Sequence, residues 1–189
     1  MRSTLALALA AALTVFACGD SATGPTGTPS TFTVLLKDSP FSDAKSLLVT
    51  FSEVSAHKSD SDWTKLPFAG GATSRTCDLK QLTSAQDVLG TGPLAAGQYT
   101  MVRLMITSAA LYFDNAAGGP ACAATVAAPA GRSASVEIPS GEVRLNRQFE
   151  MKSTAAGTML LDFDGDRSVR ETGNGRYMMT PVIGIVSVQ

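Results

Sequence analysis

The chain has 189 residues, with 15 basic and 16 acidic side chains, one histidine and 44% hydrophobic residues. That near balance of charge argues against a nucleic-acid binder, which needs a basic face. Once a leader and linker are set aside, the remainder suits one domain, which can bury roughly two-thirds of its surface with no structural metal.

Met1 and Arg2 bring positive charge, Leu5 to Phe16 form an apolar run, and Val15-Phe16-Ala17-Cys18 ends it. Charge, a short apolar core and then a small residue make a secretory leader, too short to cross a bilayer as a helix. Residues 1–17 are therefore expected to be a lipoprotein signal peptide, with acyl chains on Cys18. Val15 and Ala17 fit the pattern that precedes a lipidated cysteine, whereas Phe16 is bulkier than that pattern favours. The alternative is ordinary cleavage after Ala17, which leaves Cys18 as a free or paired thiol. Residues 18–30 are rich in Gly, Pro, Ser and Thr with no apolar period, the composition of a flexible linker. Twelve such residues reach roughly 20 Å, enough to hold a folded body off a membrane. Residues 31–189 are left as a single domain. If Cys18 carries lipid, Cys77 and Cys122 remain as one possible disulfide, worth about 4 kcal/mol in the chain-entropy model. Two separate thiols are the other reading.

The body alternates with period two. Phe32, Val34 and Leu36 share a face, as do Val143, Leu145, Phe149 and Met151, and again Met159, Leu161 and Phe163. Such stripes predict half-buried strands over 32–38, 143–151 and 157–164, with further strands at 47–57, 98–106, 109–114, 133–138 and 177–188. Asp78 as a cap, Gln81 in capping-box position and Leu79, Leu82 and Leu89 at near-helical spacing predict a short helix before Gly90. Thr83-Ser84 is placed to split it into two turns. Asn174-Gly175 is a hairpin signal, because the favoured turn needs positive φ at both positions. The last strand is nearly all apolar, which predicts a central place, while Pro181 demands an edge, a bulge or a sheet boundary. Many short strands with one or two short helices predict an all-β fold. The expected architecture is an antiparallel β-sandwich, Greek-key and immunoglobulin- or transthyretin-like, with a partly closed barrel as the alternative.

Several stretches together resemble a known family. They are Leu36-Lys37-Asp38-Ser39-Pro40, Val49-Thr50-Phe51-Ser52-Glu53-Val54 ending at His57, and Trp63-Thr64-Lys65-Leu66. Leu94-Ala95-Ala96-Gly97-Gln98-Tyr99 with Arg103-Leu104, Ile138-Pro139-Ser140-Gly141, and Leu161-Asp162-Phe163-Asp164 with Arg167-Ser168-Val169 continue the likeness. Gly173-Asn174-Gly175-Arg176-Tyr177, running into Thr180-Pro181-Val182-Ile183, closes it. Across nearly all of 32–186 the chain resembles a family of prokaryotic envelope lipoproteins classed as domain of unknown function 4382. The resemblance implies a secreted or tethered β-rich domain and no activity. Lys37 and Ser39 stand where that family more often has Thr and Ala, and the insertion around 116–130, with Cys122, is particular to this chain.

Asp162, Asp164 and Asp166 are the first candidate site. Alternate strand residues point the same way, so Asp162 and Asp164 would set two carboxylates about 7 Å apart, and Gly165 lets Asp166 turn toward them. Clustered oxygens suit calcium, although Arg167 replaces the glycine of an EF-hand loop and Gly173 its bidentate Glu. The competing reading is a solvated strand end neutralised by Arg167. Asp38, Glu53 and His57 form a second candidate, a polar cluster that could hold a metal or move a proton if the end of the Asp38 strand pairs beside Glu53, Ser55 and His57. A surface imidazole held by a carboxylate is the plainer expectation. Arg103 falls in an apolar row with Tyr99, Met101 and Met105, which calls for an ion pair, with Glu53 or Asp162 as the partner. Trp63, in a hairpin-like context, either packs on the sandwich or stacks on a sugar. Gly90-Thr91-Gly92-Pro93 lacks the lysine and helix of a phosphate loop.

No Gly-x-Ser-x-Gly elbow, two-histidine zinc motif or Cys-x-x-Cys is present, so no residue is assigned a catalytic role. The expectation is a non-enzymatic module in the bacterial cell envelope, facing the periplasm or the cell surface. It would be held to a membrane by its lipid and act by binding or as a structural element. Its partners would be envelope proteins or a small ligand. A calcium- or small-ligand-binding module is the alternative, and a carboxylate-based hydrolase with scattered acids a further one.

Overall fold

A computed structural model describes residues 29–39 and 44–189; the leader, Cys18 and most of the expected linker lie outside the described residues. Numbered in chain order, the strands are β1 Ser30–Ser39, β2 Ser46–Lys58, β3 Trp63–Lys65, β4 Arg75–Asp78, β5 Asp87–Leu94, β6 Gly97–Tyr112 and β7 Cys122–Ala123. They continue with β8 Ser133–Glu137, β9 Glu142–Met151, β10 Gly157–Asp164, β11 Val169–Gly173, β12 Arg176–Met179 and β13 Ile183–Val188. One helical turn, α1 Gly165–Ser168, joins β10 to β11.

The strands form two sheets. The smaller runs β13-β10-β1-β5, and the larger β11-β12-β8-β6-β2-β4-β7, with β3 pairing β2 and β9 pairing β6. The long strands β2 and β6 pair with each other and divide their outer edges. β6 meets β9 over Gly97–Met105 and β8 over Ala109–Tyr112, while β2 meets β4 and then β3. The inner faces share one core, and an aromatic stack links them. Phe32 of the small sheet lies 4.9 Å from Phe149 of the large one, which in turn lies 5.2 Å from Tyr99. This is an all-β, sandwich-like fold.

The expected antiparallel arrangement holds for most strand pairs and needs correction at two. β1 pairs β10 in parallel, and β12 pairs β8 in parallel, so both sheets are mixed. A period of two reports that a strand has one buried face and says nothing of its neighbour's direction. The chain crosses from small to large sheet at Leu94-Ala95-Ala96-Gly97-Gln98-Tyr99, where the Tyr99 hydroxyl donates to the Ala95 carbonyl at 2.9 Å. This is a tyrosine corner, which fixes the turn between two layers. Burial raises the pKa of that hydroxyl.

The predicted helix shrinks to one 3-10 turn, Leu79–Leu82, capped by Asp78 through the Lys80 amide. Leu89 belongs to β5, because its side chain is buried by sheet pairing with β1 and Asp87–Leu94 runs extended. Gly92 there allows close approach: a Cβ would lie 2.7 Å from the Pro67 ring. Two predicted segments, 98–106 and 109–114, merge into β6. The expected final strand instead breaks at Pro181 into β12 in one sheet and β13 in the other. β13 is an edge strand and not the central one its composition suggests. Its apolar residues Ile183 and Ile185 pack inward, and Val186, skipped in the pairing with β10, is 51% exposed. Asn174 and Gly175 have φ of 56° and 69°, the hairpin turn that joins β11 to β12.

Cys77 and Cys122 sit opposite each other on β4 and β7, with an S–S distance of 2.06 Å. The bond pins the insertion that carries Cys122 to the large sheet. Beside it the buried Asp78 accepts from Ser46 Oγ at 2.9 Å and from the Leu47 amide at 3.1 Å.

Candidate functional site

Asp162 and Asp164 do share the outer face of β10, as alternation requires, beside an open recess of about 400 Å³ that Arg167 and Ser39 also line. Each is already committed. Asp162 receives Lys37 Nζ at 2.9 Å and Ser39 Oγ at 3.2 Å, so both side chains bind the same carboxylate. Asp164 caps α1 by accepting from the Arg167 amide at 3.0 Å. Asp166 follows within α1 and is exposed. Among the described residues, no three acidic, histidine or cysteine side chains gather as a metal ion would need.

The second predicted cluster divides between the sheets. Asp38 lies on β1 of the small sheet and faces inward, opposite in direction to Lys37 and Ser39; Glu53 and His57 lie on β2 of the large sheet. Asp38 therefore does not join Glu53 and His57, because β1 pairs β10 and β5 rather than β2. It is 3% exposed, and among the described residues neither carboxyl oxygen has a hydrogen-bond partner. Burial drives its pKa up to about 8. The Gly165 amide offsets part of this without reaching hydrogen-bond geometry. The charges of Asp162 and Asp164 add to the rise and that of Lys80 opposes it. At neutral pH Asp38 is a neutral acid sealed into the end of the small sheet.

Glu53 is the opposite case. Its Oε1 accepts from Arg103 Nη2 at 2.5 Å and from Ser55 Oγ at 3.0 Å, and its Oε2 lies 2.8 Å from Lys65 Nζ. Burial alone would raise its pKa; hydrogen bonds from Lys65, Arg103 and Ser55, with the Arg103 charge, overcome it and hold the pKa down at about 2. The Arg103 guanidinium lies 4.4 Å from the centre of the Trp63 ring, and the His57 ring tilts against the same indole at 5.0 Å. His57 Nδ1 shares a hydrogen with Thr100 Oγ1 at 3.0 Å. The ion pair expected of Arg103 thus forms with Glu53, and Trp63 serves as its cover. A recess of about 310 Å³ beside Glu53 and Lys65 runs along Leu66, Pro67 and Phe68.

One feature was not singled out from the sequence. The β11–β12 hairpin, the start of β8 and the end of β6 enclose an open recess of about 570 Å³ that Phe113, Tyr177, Arg132, Ser133 and Glu171 line. The rings of Phe113 and Tyr177 lie 5.8 Å apart at 40° and are half-buried. Arg132 pairs with Asp114 at 3.0 Å and lies 5.6 Å from the Phe113 ring centre. The Arg132 amide, then its side chain and charge, hold Asp114 below the usual carboxylate range. Glu171 Oε1 accepts from the Gly175 amide at 3.1 Å. These residues come from three distant segments, and only the Asn174-Gly175 turn beside Tyr177 carried any signal.

No curated protein and no solved structure matches the chain at a significant level. A family model does, over residues 29–181, which takes in the sandwich from β1 through β12, both acid sites and the recess; on that match the chain belongs to the family Domain of unknown function (DUF4382).

Proposed function

We propose that this chain is a lipid-anchored protein of the bacterial cell envelope, tethered through Cys18, whose β-sandwich acts without catalysis as a binding or structural interaction module. The supporting observation is the use made of its ionisable groups. Glu53, Asp78, Asp87 and Asp162 are each committed to contacts within the fold. The acid held neutral at pH 7, Asp38, is closed off from solvent. Acid–base chemistry needs both its groups beside one substrate, whereas Asp38 and Asp162 stand on opposite faces of their sheet. The charged, apolar and small-residue order of 1–17 supplies the address, and the linker supplies the reach. A small-ligand version of the reading is favoured by the recess beneath the β11–β12 hairpin, where two rings and several polar groups face an open space.

Radiolabelled palmitate fed to cells that express the chain tests the anchor. The wild-type protein is expected to carry label and to sediment with membranes, and Cys18→Ser to lose both properties. Unlabelled wild-type protein free in the culture medium would overturn the proposal. Crosslinking in intact cells then identifies what the anchored body touches.

A further inference from the structure

The recess between the β11–β12 hairpin, the start of β8 and the end of β6 has the chemistry of a site for a neutral saccharide. We infer that it binds the exposed units of an uncharged oligosaccharide chain, an inference that rests on the envelope reading for its setting. Its volume, about 570 Å³, lies within the range of small-ligand sites. Phe113 and Tyr177 present two half-exposed rings tilted by 40°. A pyranose has one face of C–H groups, which stacks on such a ring, and a girdle of hydroxyls that need both donors and acceptors. The girdle finds donors in Arg132 and Ser133 and acceptors in Ser133, Glu171 and the Tyr177 oxygen, all on the recess wall.

The balance of charge narrows the class. Arg132 is neutralised by Asp114, with both its amide and Nε donating to that carboxylate at 2.7 and 3.0 Å. Glu171 then leaves the recess with a net negative charge, which disfavours an anionic ligand, and its Oε1 is already engaged by the Gly175 amide at 3.1 Å, which blunts its pull on a cation. Two other acid-lined recesses lack this combination: beside Glu53 the carboxylate is taken by Arg103 and Lys65, and beside Asp162 no ring lines the recess among the described residues. The open shape also suits a chain that continues past the site on either side.

The test is calorimetric titration of the full chain in detergent with chitotriose, cellotriose and maltotriose. At least one is expected to bind with a Kd of about 1 mM or tighter. Tyr177→Ala should weaken that binding about tenfold through the lost ring contact. Since Tyr177 also packs against the core, Arg132→Ala is the companion: its side chain is 78% exposed, so the fold should be kept while binding falls. Failure of all three sugars to bind, or binding unchanged in Arg132→Ala, overturns the inference. Palmitate labelling that succeeds while the titrations fail would sink this inference alone and leave the anchored module standing.

Discussion

The end of β1 and the middle of β2 each carry a carboxylic acid on an extended strand, yet the two acids are held in opposite states. Asp38 faces a packed interior with no partner among the described residues, and its pKa rises to about 8. Glu53 faces outward beneath Arg103, Lys65 and Trp63, and its pKa falls to about 2. Removal from water favours the neutral form, while donors and cations favour the charged one; which of them wins is decided by the neighbours and not by the strand. The lesson for function is that a displaced pKa in this fold does not by itself mark a reactive group.

The comparison fixes the sign of two pH dependences. For Asp38 the folded pKa lies above the unfolded value, so unfolding releases a proton between about pH 4 and pH 8, and stability falls as pH rises through that window. For Glu53 the folded pKa lies below the unfolded value, so its contribution is complete above about pH 4.5 and is lost as pH drops toward 2. Together the two acids place a stability maximum near pH 4.5, and one substitution at each site takes it apart. Asp38→Asn keeps the shape and removes the proton. The largest effect expected is here: a variant several kcal/mol more stable than wild type at pH 8, with the gap closing toward pH 4, since each pH unit is worth about 1.4 kcal/mol. Urea melts at pH 4, 6 and 8 measure it. A wild-type profile that is flat from pH 4 to 8 would refute the neutral, sealed acid.

Arg103→Met acts on the other acid. It leaves Glu53 with Lys65 and Ser55 and removes the cation from the Trp63 face, so about 2 kcal/mol should be lost at pH 7. The acid limb of the stability curve should move to higher pH as well. Lys65→Ala, at a side chain 75% exposed, should cost under about 1 kcal/mol. Equal losses from the two variants would mean that Trp63 and partial burial add nothing to the Arg103–Glu53 pair.

How far the sequence reveals these two sites follows from the range over which strand periodicity acts. Alternation along 32–38 and 47–57 located β1 and β2, and it placed Glu53, Ser55 and His57 together, because side-chain direction is a local property. The same alternation placed Arg103 in an apolar row, and the cost of an unpaired charge there called for an ion pair with Glu53 or Asp162, of which Glu53 forms it. Which strand lies beside which is not local. Asp38 goes to β10 and β5, not to β2, through a parallel pairing with a strand more than a hundred residues away. The recess under the β11–β12 hairpin is illegible for the same reason, since Phe113, Arg132 and Tyr177 meet only once β6, β8 and β12 are in order. The short helix failed differently: Asp78 is a true cap, Gln81 donates to the Asp78 carboxylate without closing a capping box, and Leu89 mimics helical spacing while lying in β5.

Asp162 extends the comparison to a third acid and gives its smallest expected effect. It stands on the solvent side of the same sheet that encloses Asp38, and Lys37 and Ser39 supply the cation and hydroxyl that a bound metal would otherwise replace. A calcium ion would have to displace Lys37 from one carboxylate oxygen and break the cap that Asp164 makes on α1, gaining oxygens from a set that offers few others among the described residues. Millimolar calcium should therefore leave the melting temperature of wild type unchanged. Lys37→Thr, which removes the cation on Asp162, is the variant in which an increase should first appear, because Arg167, 3.8 Å from Asp164, is then the cation left to offset the repulsion of two carboxylates on one strand face. A rise in wild type that Asp162→Asn abolishes would show that Lys37 does not hold this acid as firmly as Arg103 holds Glu53.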